Sequence, residues 1–567
     1  VFCNKTALID ITLPTNLKSI GTYAFYGINQ ISTYTIPKSV TSIGTSAFDS
    51  GKTIRCYSGS YAETYAKNNK LKVSIINETE TIGTDTFYYI INADNTAEIV
   101  GCKTTSTAIT IPLTLGGVKV TKIGDSGFKD CTTITGVTIT DYITEIGARA
   151  FYGCTAIKDV TIPTTVVSVG DYAFYGCTKL ETVTISEGLK YIGDYAFYNC
   201  PSLGEITLPD TLKTLGSYAF YGCTSAKSVT IGVNLVGIEE YTFYNCTSLA
   251  TVVIGTSVDH IGDYAFYNTA VSKIALPAVT KSIGNHAFEN CKSLTRMQIR
   301  NGLESVGAYA FSGDGELYQI SVPASINKIG EYAFNDCAKL IKFTIPDAVT
   351  RIENSTFNGC TALGTVTLGK NTAYIGKNAF SDCALDKIAL PETLMQIDDN
   401  AFSSCKALTS IYIPDAVERI GLGAFYQCNS LNSISVADKL GSIGKSSFYM
   451  TDNISAEIRN VCGSVTDRLF EGQSIVTVTI NEGITTIGNH AFSGCQTLTA
   501  VNYPKSLIKI GNNAFWDNIG YSTVNLPDNV EYIGDKAYGN CTKLSKIDFS
   551  DKMKKIGTDA FVGCKNL

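Results

Sequence analysis

Residues 169–208 read VGDYAFYGCTKLETVTISEGLKYIGDYAFYNCPSLGEITL, and the second half restates the first. One unit, roughly I-G-x-x-A-F-x-x-C-x-x-L-x-x-V-x-I-P-x-x-L-x-x, returns every 22 or 23 residues. Its Phe marks the period. It stands at Phe128, Phe151, Phe174, Phe197, Phe220, Phe243 and Phe266, and the series runs on to Phe561 with Tyr538 in one slot. A fixed period of this length specifies a solenoid, in which each unit buries its apolar face against its neighbours. Such an array grows lengthwise, so 567 residues do not imply several globular domains.

The physics of one unit is legible at 192–214, IGDYAFYNCPSLGEITLPDTLKT. Ile206-Thr207-Leu208 alternates in, out, in, as a half-buried strand does. Pro209 ends that strand because it has no N–H for a ladder. Leu203, Leu212 and Leu215 face the core. Gly193 and Gly216 mark a sharp turn or a close approach between units. Asp194 is expected to cap a short helical turn through Ala196, Phe197 and Cys200. Adjacent Ala and Phe positions, one small and one large, read as interlocking core layers.

The stretch V-G-D-Y-A-F-Y-G-C-T-K-L-E-T-V-T-I at 169–185 resembles the BspA-like class of leucine-rich repeat, with Val169 in place of the first Ile. The resemblance covers nearly the whole chain. It implies an α/β-type repeat solenoid: a parallel β-sheet on one face and short helical, 3₁₀ or irregular segments on the other. It also implies display on bacteria or parasitic protists and a part in adhesion to host matrix proteins, host cells or other microbes.

The period breaks between Phe48 and Phe128, which divides the chain into two tandem arrays. Residues 1–53 read as the end of a first array and 54–76 as its closing cap. In that cap Tyr61 to Asn69 is a helical stretch with Ser60 as N-cap. Residues 77–84 read as a joint, and the match Ile82-Gly83-Thr84-Asp85-Thr86-Phe87 as coincidence. Residues 85–121 read as a β opening cap, with alternating runs flanking Asn92-Ala93-Asp94-Asn95 as a hairpin signal. Residues 122–567 form the second array of about 20 units, irregular near 449–466. Both ends fall inside a repeat, so the chain reads as part of a longer one, with any signal peptide or anchor outside it.

Composition narrows the function. The net charge of −6 and the absence of a basic run argue against nucleic acid as partner. No apolar run reaches the length of a membrane span, so no membrane insertion is expected within this chain. Fifteen of the 19 Cys lie three residues after the anchor, among them Cys131, Cys154, Cys177, Cys200, Cys223 and Cys246. No C-x-x-C occurs, so these read as a buried reduced packing ladder rather than a metal site. His286 and His490 share one slot, G-N-H-A-F, nine units apart, which separates them too far for a catalytic or metal pair. Glu239-Glu240 and Asp398-Asp399 read as charges at helix starts. No nucleophile elbow, phosphate loop or zinc-protease motif is present, so no catalytic residue, metal or cofactor is expected.

Two surfaces remain as candidates for binding. Tyr152, Tyr175, Tyr198, Tyr221, Tyr244 and Tyr267 follow the anchor Phe in consecutive units. A second Tyr row runs two residues before it. These rows offer a contact stripe for protein or glycan, or else a stacked cover that stiffens the solenoid. Thr161, Thr184, Thr207, Thr230, Thr344 and Thr367 mark the outward side of the strands. The expected role is a non-enzymatic cell-surface or secreted scaffold that binds protein or glycan on host or neighbouring cells. The alternatives are a structural spacer or self-assembling subunit, and the repeat region of an enzyme whose catalytic module lies outside this chain.

Overall fold

The computed structural model describes residues 2–444, 446–448, 451 and 454–567. Tyr449, Met450, Asp452 and Asn453, from the stretch expected to be irregular, lie outside the described residues; Ile454–Arg459 and Ser464–Val465 lie inside it and are strands. The chain divides into two compact units, Val1–Leu235 and Val236–Leu567. The joint expected at 77–84 falls within the first unit, and Glu78–Ile82 there is itself a strand.

Both units are stacks of coils, and most coils carry two strands where one was expected. The first is the three- or four-residue strand anticipated from the alternation. Asp159–Ile162 and Thr182–Ile185 pair in parallel, with Val160 opposite Val183 and Thr161 opposite Thr184. The second is a two-residue strand just before the Gly. Glu145–Ile146, Ser168–Val169, Tyr191–Ile192 and Thr214–Leu215 form one such ladder in the first unit. Ser282–Ile283, Ser305–Val306 and Lys328–Ile329 continue the pattern in the second. The Gly that follows is fixed by approach. A Cβ on Gly193 would lie 2.6 Å from the Asp171 nitrogen and 2.8 Å from the Gly170 carbonyl carbon.

The side opposite the three-residue strands is turn throughout, and the helical turn expected after Asp194 does not form. Among the described residues the single helix is Tyr61–Asn68. Asp194 instead points along the stack and accepts the Ser217 N–H at 2.8 Å, as Asp171 accepts that of Asp194 at 2.9 Å. Backbone torsion explains the turn. Tyr172 and Tyr195 have φ of 58° and 57°, and Gly176 and Asn199 have φ of 70° and 55°. Positive φ on Tyr is costly, but it aims alternate N–H groups down the axis. Tyr172, Phe174 and Gly176 donate to the carbonyls of Asp194, Ala196 and Tyr198 at 2.8, 2.7 and 2.8 Å. The turn therefore makes a third inter-coil ladder.

The core follows the Phe column. Phe151, Phe174 and Phe197 stack with centroids 5.1 Å apart, and Phe288, Phe311 and Phe334 do the same at 5.5 and 5.2 Å. Near the start of the first unit a separate apolar cluster gathers Phe25, Tyr34, Phe48, Ile54 and Tyr65. The Tyr61–Asn68 helix packs there, its Ser60 side chain accepting the Glu63 N–H at 3.2 Å. Glu78–Ile82, Asp85–Ile91 and Ala97–Lys103 then run antiparallel, and Ala97–Lys103 passes into the parallel stack through Val118–Ile123. Phe87, off the period, is buried with its ring edge on Phe128 at 6.4 Å.

Candidate functional site

The strand face is set by the alternation. In Glu205–Thr207 and Ser228–Thr230 the central residue is buried and its neighbours point out. Thr161, Thr184, Thr207 and Thr230 are exposed in the first unit, as are Thr344 and Thr367 in the second. In-register pairing aligns Thr161 with Thr184, Thr207 with Thr230, and Thr344 with Thr367. Adjacent members of the row are one strand spacing apart, about 4.8 Å. The result is a flat surface of hydroxyl and methyl groups with its backbone groups already paired in the sheet.

The Tyr rows have a different geometry. Tyr152, Tyr175, Tyr198 and Tyr221 stack in the first unit at 4.8, 4.8 and 4.5 Å with planes within 9° of parallel. Tyr244 and Tyr267 stack in the second at 4.7 Å. The second row, Tyr172, Tyr195 and Tyr218, stacks at 4.7 and 4.6 Å and leans on the first. Lys129 lies over the Tyr152 ring at 5.4 Å, and Arg149 over Tyr172 at 5.0 Å. Most ring faces in these rows thus lie against another ring or a cation, which leaves little aromatic face for a sugar to stack on.

The cysteines pack as a column. Cys154, Cys177, Cys200 and Cys223 are buried, and each thiol donates to the carbonyl of the Phe one coil back, at 3.0, 3.3, 3.3 and 3.4 Å. Cys246 is buried too, whereas Cys131, beside the antiparallel module, is partly exposed. Burial pushes the Cys177 and Cys223 thiols up to about 12 and that of Cys200 well above its ordinary value. Protonated thiols of this kind are poor nucleophiles and poor metal ligands.

The remaining titratable groups serve the stack. His286 lies in the Tyr row, 4.3 Å from Tyr264 and 4.8 Å from Tyr309, with Nδ1 bonded to the Glu289 carboxylate. His490 faces Asn513 Nδ2 at 3.3 Å. Asp398 and Asp399 hold Arg419 between them at 3.4 Å each, and Asp398 accepts the Tyr374 hydroxyl at 2.5 Å. Burial opposes ionisation of Asp398, but the Tyr374 and Asp399 hydrogen bonds and the Arg419 charge outweigh it and hold the carboxyl below its usual range. One replacement in the Cys ladder, legible in the sequence only as a substitute that keeps the period, is a buried acid. Asp314 occupies a Cys slot, is fully buried, and has no hydrogen-bond partner on either carboxyl oxygen. Burial raises it well above the carboxylate range. Among the described residues no group of three or more His, Cys, Asp or Glu is placed to hold a metal ion.

Comparison with known proteins agrees with the coil geometry. The family model described as a BspA type leucine rich repeat region matches residues 1–106, 101–227, 213–341, 327–455 and 463–567. Similar solved structures include a leucine-rich repeat protein from Bacteroides ovatus, 24% identical over 68% of this chain and 98% of its own, with a TM-score of 0.48. A leucine rich cell surface protein from Faecalibacterium prausnitzii is 28% identical over 68% of this chain and 94% of its own, with a TM-score of 0.37. The pneumococcal vaccine antigen PcpA is 19% identical over 76% of this chain and 99% of its own, with a TM-score of 0.35. No curated protein matches the sequence.

Proposed function

We propose, from the premise that the chain belongs to the BspA-type leucine-rich repeat family, that it is a non-enzymatic adhesion scaffold displayed on a cell surface or secreted. Leucine-rich repeat solenoids are generally non-enzymatic, and their folds generally mediate protein binding. Proteins of the BspA type are often surface proteins. Among the described residues no helix is long and apolar enough to cross a membrane.

The strand face is the binding face in this reading. The observation that carries it is the contrast between two periodic surfaces. The Thr side chains point away from the core and are exposed, while the Tyr rings of the other rows stack on one another. The ligand is a protein or glycan on a host or neighbouring cell. The Thr161→Glu, Thr184→Glu, Thr207→Glu and Thr230→Glu variant tests this in a cell- and matrix-adhesion assay. Adhesion lost with the fold intact supports the reading; adhesion retained overturns it.

A second reading, a structural spacer that presents other modules, draws on the stacked Phe and Tyr columns within each unit, which resist bending. Under it the same variant leaves adhesion untouched. In both readings residues 1–76 close one array and 85–121 open the next, an arrangement supported by the capped helix and the antiparallel strands between them.

A further inference from the structure

Along the second unit, the first outward position of successive strands holds Lys273, Arg296, Gln319, Lys342 and Thr365, and Lys387 stands at the equivalent repeat position of the next coil, which forms no strand there. Lys273 is the register partner of Arg296, Arg296 of Gln319, and Lys342 of Thr365. All four cations are exposed. The ion pairs described in this stretch involve other residues: Lys281 with Glu304, His286 with Glu289, Lys339 with Glu316, Arg351 with Glu353 and Lys370 with Asp347. The neighbouring outward row is neutral, with Ala275, Gln298, Ser321 and Thr344. No acidic residue occupies an outward strand position here; the nearest in sequence is Asp386, just before Lys387.

This reverses the sign of the chain as a whole, whose net charge is −6. It is also local. The same position in later coils holds Ser410, Ser433, Ser455 and Thr477. Cations directly opposite across a strand pair repel, so Lys273 beside Arg296 costs stability until something anionic lies over them. Five coil steps separate Lys273 from Lys387, about 24 Å at the strand spacing.

The shape of this stripe selects among anions. It is one residue wide and runs from coil to coil, which suits an extended chain laid along the stack rather than a globular surface. Lys273–Ala275 and Arg296–Gln298 are interior strands of a six-stranded sheet, so their backbone groups are already paired and offer no edge to an added peptide strand. The aromatic ring beside it, Tyr318, is engaged by Arg296, which lies 5.7 Å from the ring centre and donates to the hydroxyl at 2.8 Å. A nucleobase therefore lacks a stacking platform. Gln298, Ser321 and Thr344 supply donors and acceptors for hydroxyl groups alongside the charges. We infer that the strand face from Lys273 to Lys387 is a binding site for an acidic polysaccharide, whose sulfate or carboxylate groups meet the cations while its hydroxyls meet the neutral row.

This rests on the strand face being the binding face, and the test separates the two. The full chain is titrated with heparin, hyaluronate, poly-glutamate and an oligo-thymidylate at low and at raised salt. Binding is expected to heparin or hyaluronate ahead of poly-glutamate and oligo-thymidylate, and to weaken as salt screens the charges. Heparin ahead of hyaluronate assigns the contacts to sulfate; the reverse assigns them to carboxylate. The Lys273→Gln, Arg296→Gln, Lys342→Gln and Lys387→Gln variant should bind at least roughly tenfold more weakly and unfold thermally no earlier than the parent chain. A control with Lys505→Gln, Lys509→Gln and Lys555→Gln should retain its affinity. No polysaccharide binding, an equal loss in the control, or preference for poly-glutamate or oligo-thymidylate overturns the inference. Cell adhesion that survives the four Gln substitutions but not the four Thr substitutions leaves the scaffold reading standing without it.

Discussion

The Cys200 thiol donates to the carbonyl oxygen of Phe174, 3.3 Å away and one coil back. Each such bond ties a small buried side chain to the ring column of the preceding coil, and the same pairing recurs from Cys154 onward. The cysteines are thus part of the packing, and their chemistry is suppressed by it. Ellman's reagent on the native chain should react promptly at Cys3 and Cys462, which are exposed. The buried thiols Cys177, Cys200 and Cys223 should react only after denaturant is added. Prompt labelling of Cys200 would show that the column is open.

Truncating the ring column should be expensive. Phe174 is stacked on both sides at 5.1 Å and is fully buried. Phe174→Ala should lower the stability of its unit by about 3–5 kcal/mol, read from denaturant unfolding. In a repeat array the loss is local, so the transition should also broaden as neighbouring coils uncouple.

Gly193 gives a sharper test of coil spacing. A Cβ there would meet the Asp171 carboxylate at 2.3 Å and the Asp171 nitrogen at 2.6 Å. Gly193→Val should cost about 1–3 kcal/mol through overpacking. Gly136, which has open space at its Cβ, is the matched control, and Gly136→Ala should be close to neutral in the same unfolding measurement.

Asp314 gives the fold a pH dependence with a definite sign. Its folded carboxyl sits well above the ordinary value, first through burial, with Glu289 adding repulsion. The contribution is therefore complete below the ordinary carboxyl value, about pH 4, and is lost as pH rises towards the folded value. Asp314→Cys restores the residue typical of the slot. It should raise stability at neutral pH by about 1–3 kcal/mol and flatten the pH profile of thermal unfolding. A profile unchanged by the substitution would show that Asp314 finds a partner in solution.

Much of this was legible in the sequence for a physical reason. Phe174, Cys177, Leu180 and Val183 recur at fixed spacing because each must fill the same hole in the next coil. The outward Thr row follows from strand alternation. The two-residue strands, such as Tyr191–Ile192, were not legible, because two residues carry no period. Neither was the positive φ at Tyr172 and Tyr195, since Tyr is a residue that normally avoids it; the second such site, at Gly176 and Asn199, left a readable Gly/Asn/Asp signal that passed unnoticed. The helical turn after Asp194 was expected from a capping residue whose carboxylate in fact serves the next coil. The stripe from Lys273 to Lys387 stayed hidden because its cations are 23 to 46 residues apart in sequence and come together only when the coils stack.

On the function proposed above, the three-residue strands present the binding face while the Tyr rows stiffen the stack. Hydroxyl-radical footprinting of the chain, free and in the presence of host or neighbouring cells, tests this most directly. The account predicts protection of strand segments such as Asp159–Ile162, Thr182–Ile185 and Lys273–Ala275, with Tyr175 and Tyr198 oxidised equally in both states. Protection of Tyr175 and Tyr198 with unprotected strands would contradict it.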